Sequence, residues 1–307
     1  MLRPEDDLRH EMPDSEFARE SLYYSVPLPE EKLFIEGYCT LKTDDTANRL
    51  LLVWGDPDDV GYDPLVLDLD EGSIQGDDLD DFRVDGMHIR QPEVLRTTEL
   101  TFKSDENTWD YSYRAVHEAF DYERNANGCP KMVAENRYEQ AGLASGQVTF
   151  DKRTVSYSEV LGHRDHSWGV RDWQSIMHWK FWMAQTGEDE AVNYFLSWAH
   201  GRAFDNGFIY RDGEVSPVVA CARADVEYDD QWFQRRFEFK VEDELGRTAT
   251  VTGERFAGGF LDWGGVVMGE SVFNVEVDGR PGVSYLETGW PPGYLEHLRG
   301  GKWGGRG

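Results

Sequence analysis

Short apolar runs, separated by Gly, Asp and Pro, recur along this chain at intervals of roughly eight to twelve residues, the rhythm of strands in sandwiches and barrels. Leu33–Leu41 reads Leu-Phe-Ile-Glu-Gly-Tyr-Cys-Thr-Leu, and Arg49–Trp54 reads Arg-Leu-Leu-Leu-Val-Trp. The polar stretch Lys42–Asn48 between them predicts a hairpin with a long loop. Pro64–Leu69, Glu99–Phe102, Tyr111–Phe120 and Asn136–Phe150 continue the series, and Gly142 and Gly146 argue against a helix in the last of these. In Gln174–Thr186, Trp179, Phe181 and Met183 alternate with His178, Lys180 and Trp182, which predicts a strand with one cored face. Ala191–Trp198, Thr248–Thr252 and Val272–Val277 read alike, and Gln231–Val241 sets Phe237, Phe239 and Val241 against charge as an exposed antiparallel strand would. Asp212-Gly213 and Asp278-Gly279 are two-residue hairpin signals.

The expectation is an all-β chain of two antiparallel barrel or sandwich domains packed together. A polar lead-in spans 1–20, the domains span 21–160 and 161–298, and a Gly-rich flexible tail spans 299–307. No Gly-rich phosphate loop carries a strand into a helix, so a nucleotide-binding α/β fold is not supported.

Composition sharpens this. Eleven Trp, fourteen Tyr and sixteen Phe suit strands better than helices. They fill a β core or, in part, line a ligand cavity. The net charge of −28 makes nucleic acid a poor partner, because phosphate binding needs clustered Lys and Arg. Cys39, Cys129 and Cys221 are scattered and odd in number, which argues against a disulfide framework and a zinc ribbon. Met1–Glu20 has no apolar leader, and no run is long enough to span a bilayer. These features predict an acidic cytoplasmic protein, monomer or homodimer, without membrane insertion.

Chemistry concentrates in Gly162-His-Arg-Asp-His-Ser-Trp-Gly-Val-Arg-Asp-Trp173. On a strand, period two puts Arg164, His166 and Trp168 on one face and His163, Asp165 and Ser167 on the other, with a bend at Gly169. A histidine in a Trp-walled pocket can serve as acid or base. Arg164 or Arg171 can pair with Asp165 or Asp172, and Trp168 can meet a developing cation. Glu139, between Tyr138 and Gln140, is another candidate acid, and Tyr285 and Glu287 are candidate pocket-lining residues. The competing reading is a structural ion network at a domain interface. Metal binding by His163, Asp165 and His166 is disfavoured because the two imidazoles point to opposite faces. Ser167 lacks the strand–elbow–helix setting of a serine nucleophile.

Arg164–Trp173, with its Arg-Asp-His-Ser-Trp-Gly run, resembles the signature of proteins similar to carotenoid 1,2-hydratase (hydroxyneurosporene synthase). Weaker matches are Asn136–Gly142 and Gly269–Val277. The resemblance implies a double lipocalin-like architecture, shared with kievitone hydratases and some fungal Diels–Alder cyclases. It implies a pocket between the halves holding His166 and Trp168, and an acid that protonates an alkene. On this reading Asp165, His166, Trp168, Asp172 and Glu139 are catalytic, and Arg164, Arg171, Trp173, Tyr138 and Tyr285 bind substrate. The expected protein is a hydratase-type lyase or isomerase acting on an apolar terpenoid-, steroid- or polyketide-like molecule, with no cofactor and no metal. A Diels–Alder-type cyclase and a non-catalytic carrier of apolar ligands are the alternatives.

Overall fold

The structure, a computed structural model, describes residues 2–263 and 265–300. The first half forms β1 (Glu20–Leu28), β2 (Leu33–Leu41), β3 (Thr46–Trp54), β4 (Val66–Ser73), β5 (Asp81–Val84), β6 (Met87–Glu93), β7 (Thr97–Lys103), β8 (Thr108–Ala115), β9 (Phe120–Asp121), β10 (Asn136–Phe150) and β11 (Arg153–Trp168). These make one antiparallel sheet in the order β4-β3-β2-β1-β11-β10-β8-β7-β6-β5, with β9 added on β10. A bridge between Gln75 and Arg83 joins its two ends, so the sheet curls into a barrel-like body. The second half forms β12 (Ile176–Gln185), β13 (Glu190–Ala199), β14 (Arg202–Arg211), β15 (Glu214–Tyr228), β16 (Gln234–Asp243), β17 (Thr248–Trp263), β18 (Val266–Val277) and β19 (Arg280–Trp290), which close into a barrel. Helix is confined to short pieces, chiefly α1 (Pro57–Val60) and α2 (Pro292–Gly300). None among the described residues is long and apolar enough to cross a membrane.

The all-β expectation holds, and two antiparallel barrel-like sheets pack together as the lipocalin-like reading requires. Alternation explains the outer strands: in β7 and β8 every second residue is buried. Both hairpin signals hold too. Asp212 and Gly213 take φ of 53° and 84°, and Asp278 and Gly279 take 49° and 87°, the left-handed pair that a tight hairpin needs.

The structure departs from the expectation in several details. The β2–β3 loop is only Lys42–Asp45, because pairing of Leu41 with Ala47 extends the hairpin. Strand β12 is buried on both faces, not one. Trp182 and Ala184 point into the second barrel, while Trp179, Phe181 and Met183 pack against the first. The 160/161 division falls inside β11, and the chain crosses between sheets at residues 169–175. Arg299 and Gly300 close α2, so only residues 301–307 of the expected tail lie outside the described residues. The lead-in is also more than solvated chain, since Asp7 is fully buried in the first barrel.

The interface between barrels is a core of its own. Tyr23, Phe34, Leu50, Leu52 and Trp54 from the first barrel meet Phe181, Phe256, Leu261, Met268 and Tyr285 from the second. Strands β1, β2 and β3 therefore bury both faces, one inside their barrel and one against its neighbour. Any polar group on the outer face of these strands loses its water and must find a partner.

Candidate active site

Several polar groups do sit there. Glu36 lies on β2 between Phe34 and Tyr38 on the outward face, and Glu270 lies on β18 between Met268 and Val272. Glu287 lies on β19 directly opposite Glu270. Two adjoining clefts between the barrels run past these residues. One has a cavity volume of about 60 Å³ and is lined by Tyr23, Arg137, Asp165, Trp179, Tyr285 and Glu287 among others. The other has a cavity volume of about 50 Å³ and is lined by Glu36, Leu52, Trp263, Met268, Glu270 and Glu287 among others. Tyr23, Tyr38, Trp173 and Glu287 border both.

The hydrogen bonds bear on which groups carry protons. Tyr285 OH reaches Glu270 Oε2 and also Glu287 Oε2, the latter at 2.9 Å. A phenol carries one hydrogen and can donate it to only one carboxyl. Both contacts are satisfied together when one of the two carboxyls carries a hydrogen. Burial first, then the like charges of Glu287 and Glu36, raise Glu270 well above the ordinary carboxylate range. Burial raises Glu287 as well, but the Trp179 indole N–H donates to it and Arg137 acts on it electrostatically, both pulling the other way. Glu36 accepts hydrogen bonds from Tyr23 OH at 2.6 Å and from the Trp54 indole, and burial still pushes it up to about 8. Trp179 can reach Glu287 because Gly289 leaves room: a Cβ there would lie 2.3 Å from the indole.

A second polar group adjoins the first cleft. Arg137 on β10 donates to Glu139 Oε1 at 2.5 Å, to Asp165 Oδ2 at 2.8 Å and to Ser167 Oγ at 3.2 Å. Glu139 and Asp165 are cross-strand partners, and the field between them holds the guanidinium. Burial raises Glu139 to about 7, with Arg137 pulling it down. His163 Nε2 lies within hydrogen-bond reach of Glu139 Oε2 at 2.6 Å, and burial lowers the imidazole to about 3.

The structure divides the residues proposed from sequence. The period-two assignment over 163–168 holds, but only one face meets the cleft. Asp165, Arg171, Trp173 and Tyr285 line it, and Glu139 stands behind Asp165 and Arg137. Arg171 donates to Val133 O at 3.2 Å and to Ser21, and both Arg171 and Arg19 lie over the Trp173 ring, at 4.9 and 4.7 Å. Asp172, half-buried, opens a short helical turn at Trp173–Ser175. Arg164, His166 and Tyr138 point instead into the first barrel. Arg164 donates to Gln140, Gln91 and Asp7 at 2.8–3.0 Å, and Tyr138 donates to Asp7. Burial opposes the charge on Asp7, but Arg164 and His166 outweigh it and hold that carboxyl far below its usual range. His166 lies 2.7 Å from Glu20, and the nearby carboxylates of Asp7 and Glu20 overcome burial to raise it to about 9. Trp168 stacks on His10 at 4.0 Å. His166 and Trp168 face away from the two clefts, because neighbouring strand residues alternate sides. Glu36, Glu270, Tyr23, Trp179 and Arg137 were missed. The available signal was a lone acid flanked at i±2 by apolar residues on a strand.

Comparison with known proteins follows the fold. The family described as a domain of unknown function, DUF7064, matches residues 3–292. Among solved structures, an AttH candidate from Nitrosomonas europaea superposes with a TM-score of 0.63 at 13% identity, covering 94% of this chain and 96% of that one. Kievitone hydratase from Nectria haematococca superposes with a TM-score of 0.56 at 10% identity, covering 91% and 90%. At such identities the likeness is one of fold. No curated protein matches in sequence.

Proposed function

The chain belongs to the DUF7064 family, and from that premise, which names no activity, we propose that it is a hydratase-type lyase acting on an apolar small molecule between its two barrels. The fold shared with a hydratase supports this reading, but the observation that carries it is local. Glu270 and Glu287 face each other across one phenol hydroxyl, at the wall of a cleft otherwise built largely from aromatic rings.

In the proposed step, protonated Glu270 gives its hydrogen to one alkene carbon, and the π electrons form the new C–H bond. The adjacent carbon becomes cationic beside Tyr23 and Trp263, whose aromatic rings favour positive charge. Water adds its oxygen there and gives a proton to the Glu287 carboxylate. Tyr285, touching both carboxyls, then hands a proton to Glu270 while taking one from Glu287, which restores the starting state. Two carboxyls kept in different protonation states by their surroundings is the recurrent arrangement of acid–base sites. Asp165 and Arg137 adjoin the same cleft and orient its polar end.

The test is incubation with terpenoid, steroid and polyketide alkenes in isotope-labelled water. A product one labelled water heavier is expected, with turnover reduced by about 10²–10⁴ in Glu270→Gln. A ligand that binds tightly and returns unchanged supports a carrier instead, and a ring-closed product of unchanged mass supports a cyclase. Either result overturns the hydratase reading.

A further inference from the structure

The first barrel carries a separate cluster that the proposed chemistry does not use. His10 Nδ1 and His166 Nε2 each lie 2.7 Å from the same atom, Glu20 Oε1. One ligand atom from each of the three residues falls within 4.8 Å of the others. They come from three places in the fold: the lead-in, the start of β1 and the end of β11. His10 is held in orientation by Trp168, whose ring stacks on it with an interplanar angle of 9°. His166 and Glu20 are fully buried, whereas His10 lies at the rim.

We propose that His10 Nδ1, Glu20 and His166 Nε2 form a binding site for a first-row divalent cation of the zinc class. Two imidazole nitrogens and one carboxylate oxygen are the donor set such ions take, with a fourth position left for water. The set has too few oxygens for calcium or magnesium. The remaining nitrogen of His166, Nδ1, makes no hydrogen bond yet lies 3.5 Å from Asp7 Oδ1. With Nε2 on a metal, that nitrogen carries the ring hydrogen and faces a carboxylate, the usual outer partner of a metal-bound histidine. Access exists as well. An open depression of about 380 Å³ is lined by His10 and Glu20 together with Glu11, Asp77 and Asp78, with Arg9 and Lys42 also on its wall. Acidic side chains at its mouth draw cations in. Bound there, the ion ties residues 10 and 20 to β11 and fastens the lead-in over the end of the first barrel.

The test uses the full-length chain, free of any histidine tag and stripped with a chelator. Cobalt(II) is titrated while visible absorption is followed, and zinc(II) binding is measured by calorimetry. One ion per chain is expected, with a spectrum of nitrogen and oxygen ligands and a raised melting temperature. His10→Ala, at the rim, keeps the native near-ultraviolet dichroism and weakens binding by more than ~100-fold. Glu20→Gln weakens it too, and His88→Ala, at a distant surface histidine, does not. Absence of stoichiometric cobalt or zinc binding, or equal binding by a folded His10→Ala protein, overturns the site. No substrate enters this measurement, so its outcome is independent of the hydratase reading.

Discussion

Strand β11 presents two polar clusters, one on each face, and they are electrostatic opposites. On one face Arg164 and His166 meet Asp7 and Glu20, cation against carboxylate, enclosed in the first barrel. On the other, Asp165 and Arg137 lead into a cleft where Glu36, Glu270 and Glu287 gather with little positive charge among them. The first arrangement satisfies its charges and holds chain to chain. In the second, burial raises all three carboxyls above their ordinary range, which sets an acid beside an apolar cleft. Richness in charged residue types therefore does not by itself mark a reactive site; buried acids short of counter-charge, next to a cavity, do so better.

The comparison can be broken at several points. The largest expected stability effect is on the closed face. Arg164→Met leaves Asp7 buried without its main counter-charge and should cost about 3–5 kcal/mol in denaturant unfolding. A loss under about 1 kcal/mol would mean the network is not what holds the lead-in. Next is Gly289→Ala, which drives a methyl into Trp179, removes its bond to Glu287 and costs about 1–3 kcal/mol of overpacking. Trp179 is also expected to change its fluorescence, and unchanged emission would contradict the packing. Smaller, and opposite in sign, is the effect of Glu36. Its folded value near 8 lies above the unfolded one, so the native state holds more protons between about pH 4.5 and 8. Its contribution is present below that window and is lost as pH rises through it. Glu36→Gln should therefore gain on wild type as pH increases, by about 2–4 °C in Tm per kcal/mol. Parallel Tm curves for the two proteins would show that Glu36 ionises normally.

Much of the fold is legible in the sequence, because alternation and Asp-Gly turns are local signals. The face assignment of residues 163–168 follows from period two alone. Which face meets the cleft is not local, since it depends on a second barrel packing on the outside of the first. Asp7 and Arg164 are 157 residues apart, and nothing in Met1–Glu20 announces that its acid is a buried partner rather than part of a solvated leader. Glu36 and Glu270 were hidden by being single: a cluster attracts attention, whereas one Glu between Phe34 and Tyr38 passes as a surface position on a strand. Their importance comes from convergence of β2, β18 and β19, which only the packed barrels produce.

The central claim is that a neutral carboxylic acid persists in the cleft at neutral pH. Infrared spectroscopy of the wild-type protein at pH 7 reads it directly through the carbonyl band of a protonated carboxyl group. The account predicts that band in wild type and its reduction in Glu270→Gln. A spectrum showing only ionised carboxylates, with no difference between the two proteins, would contradict it.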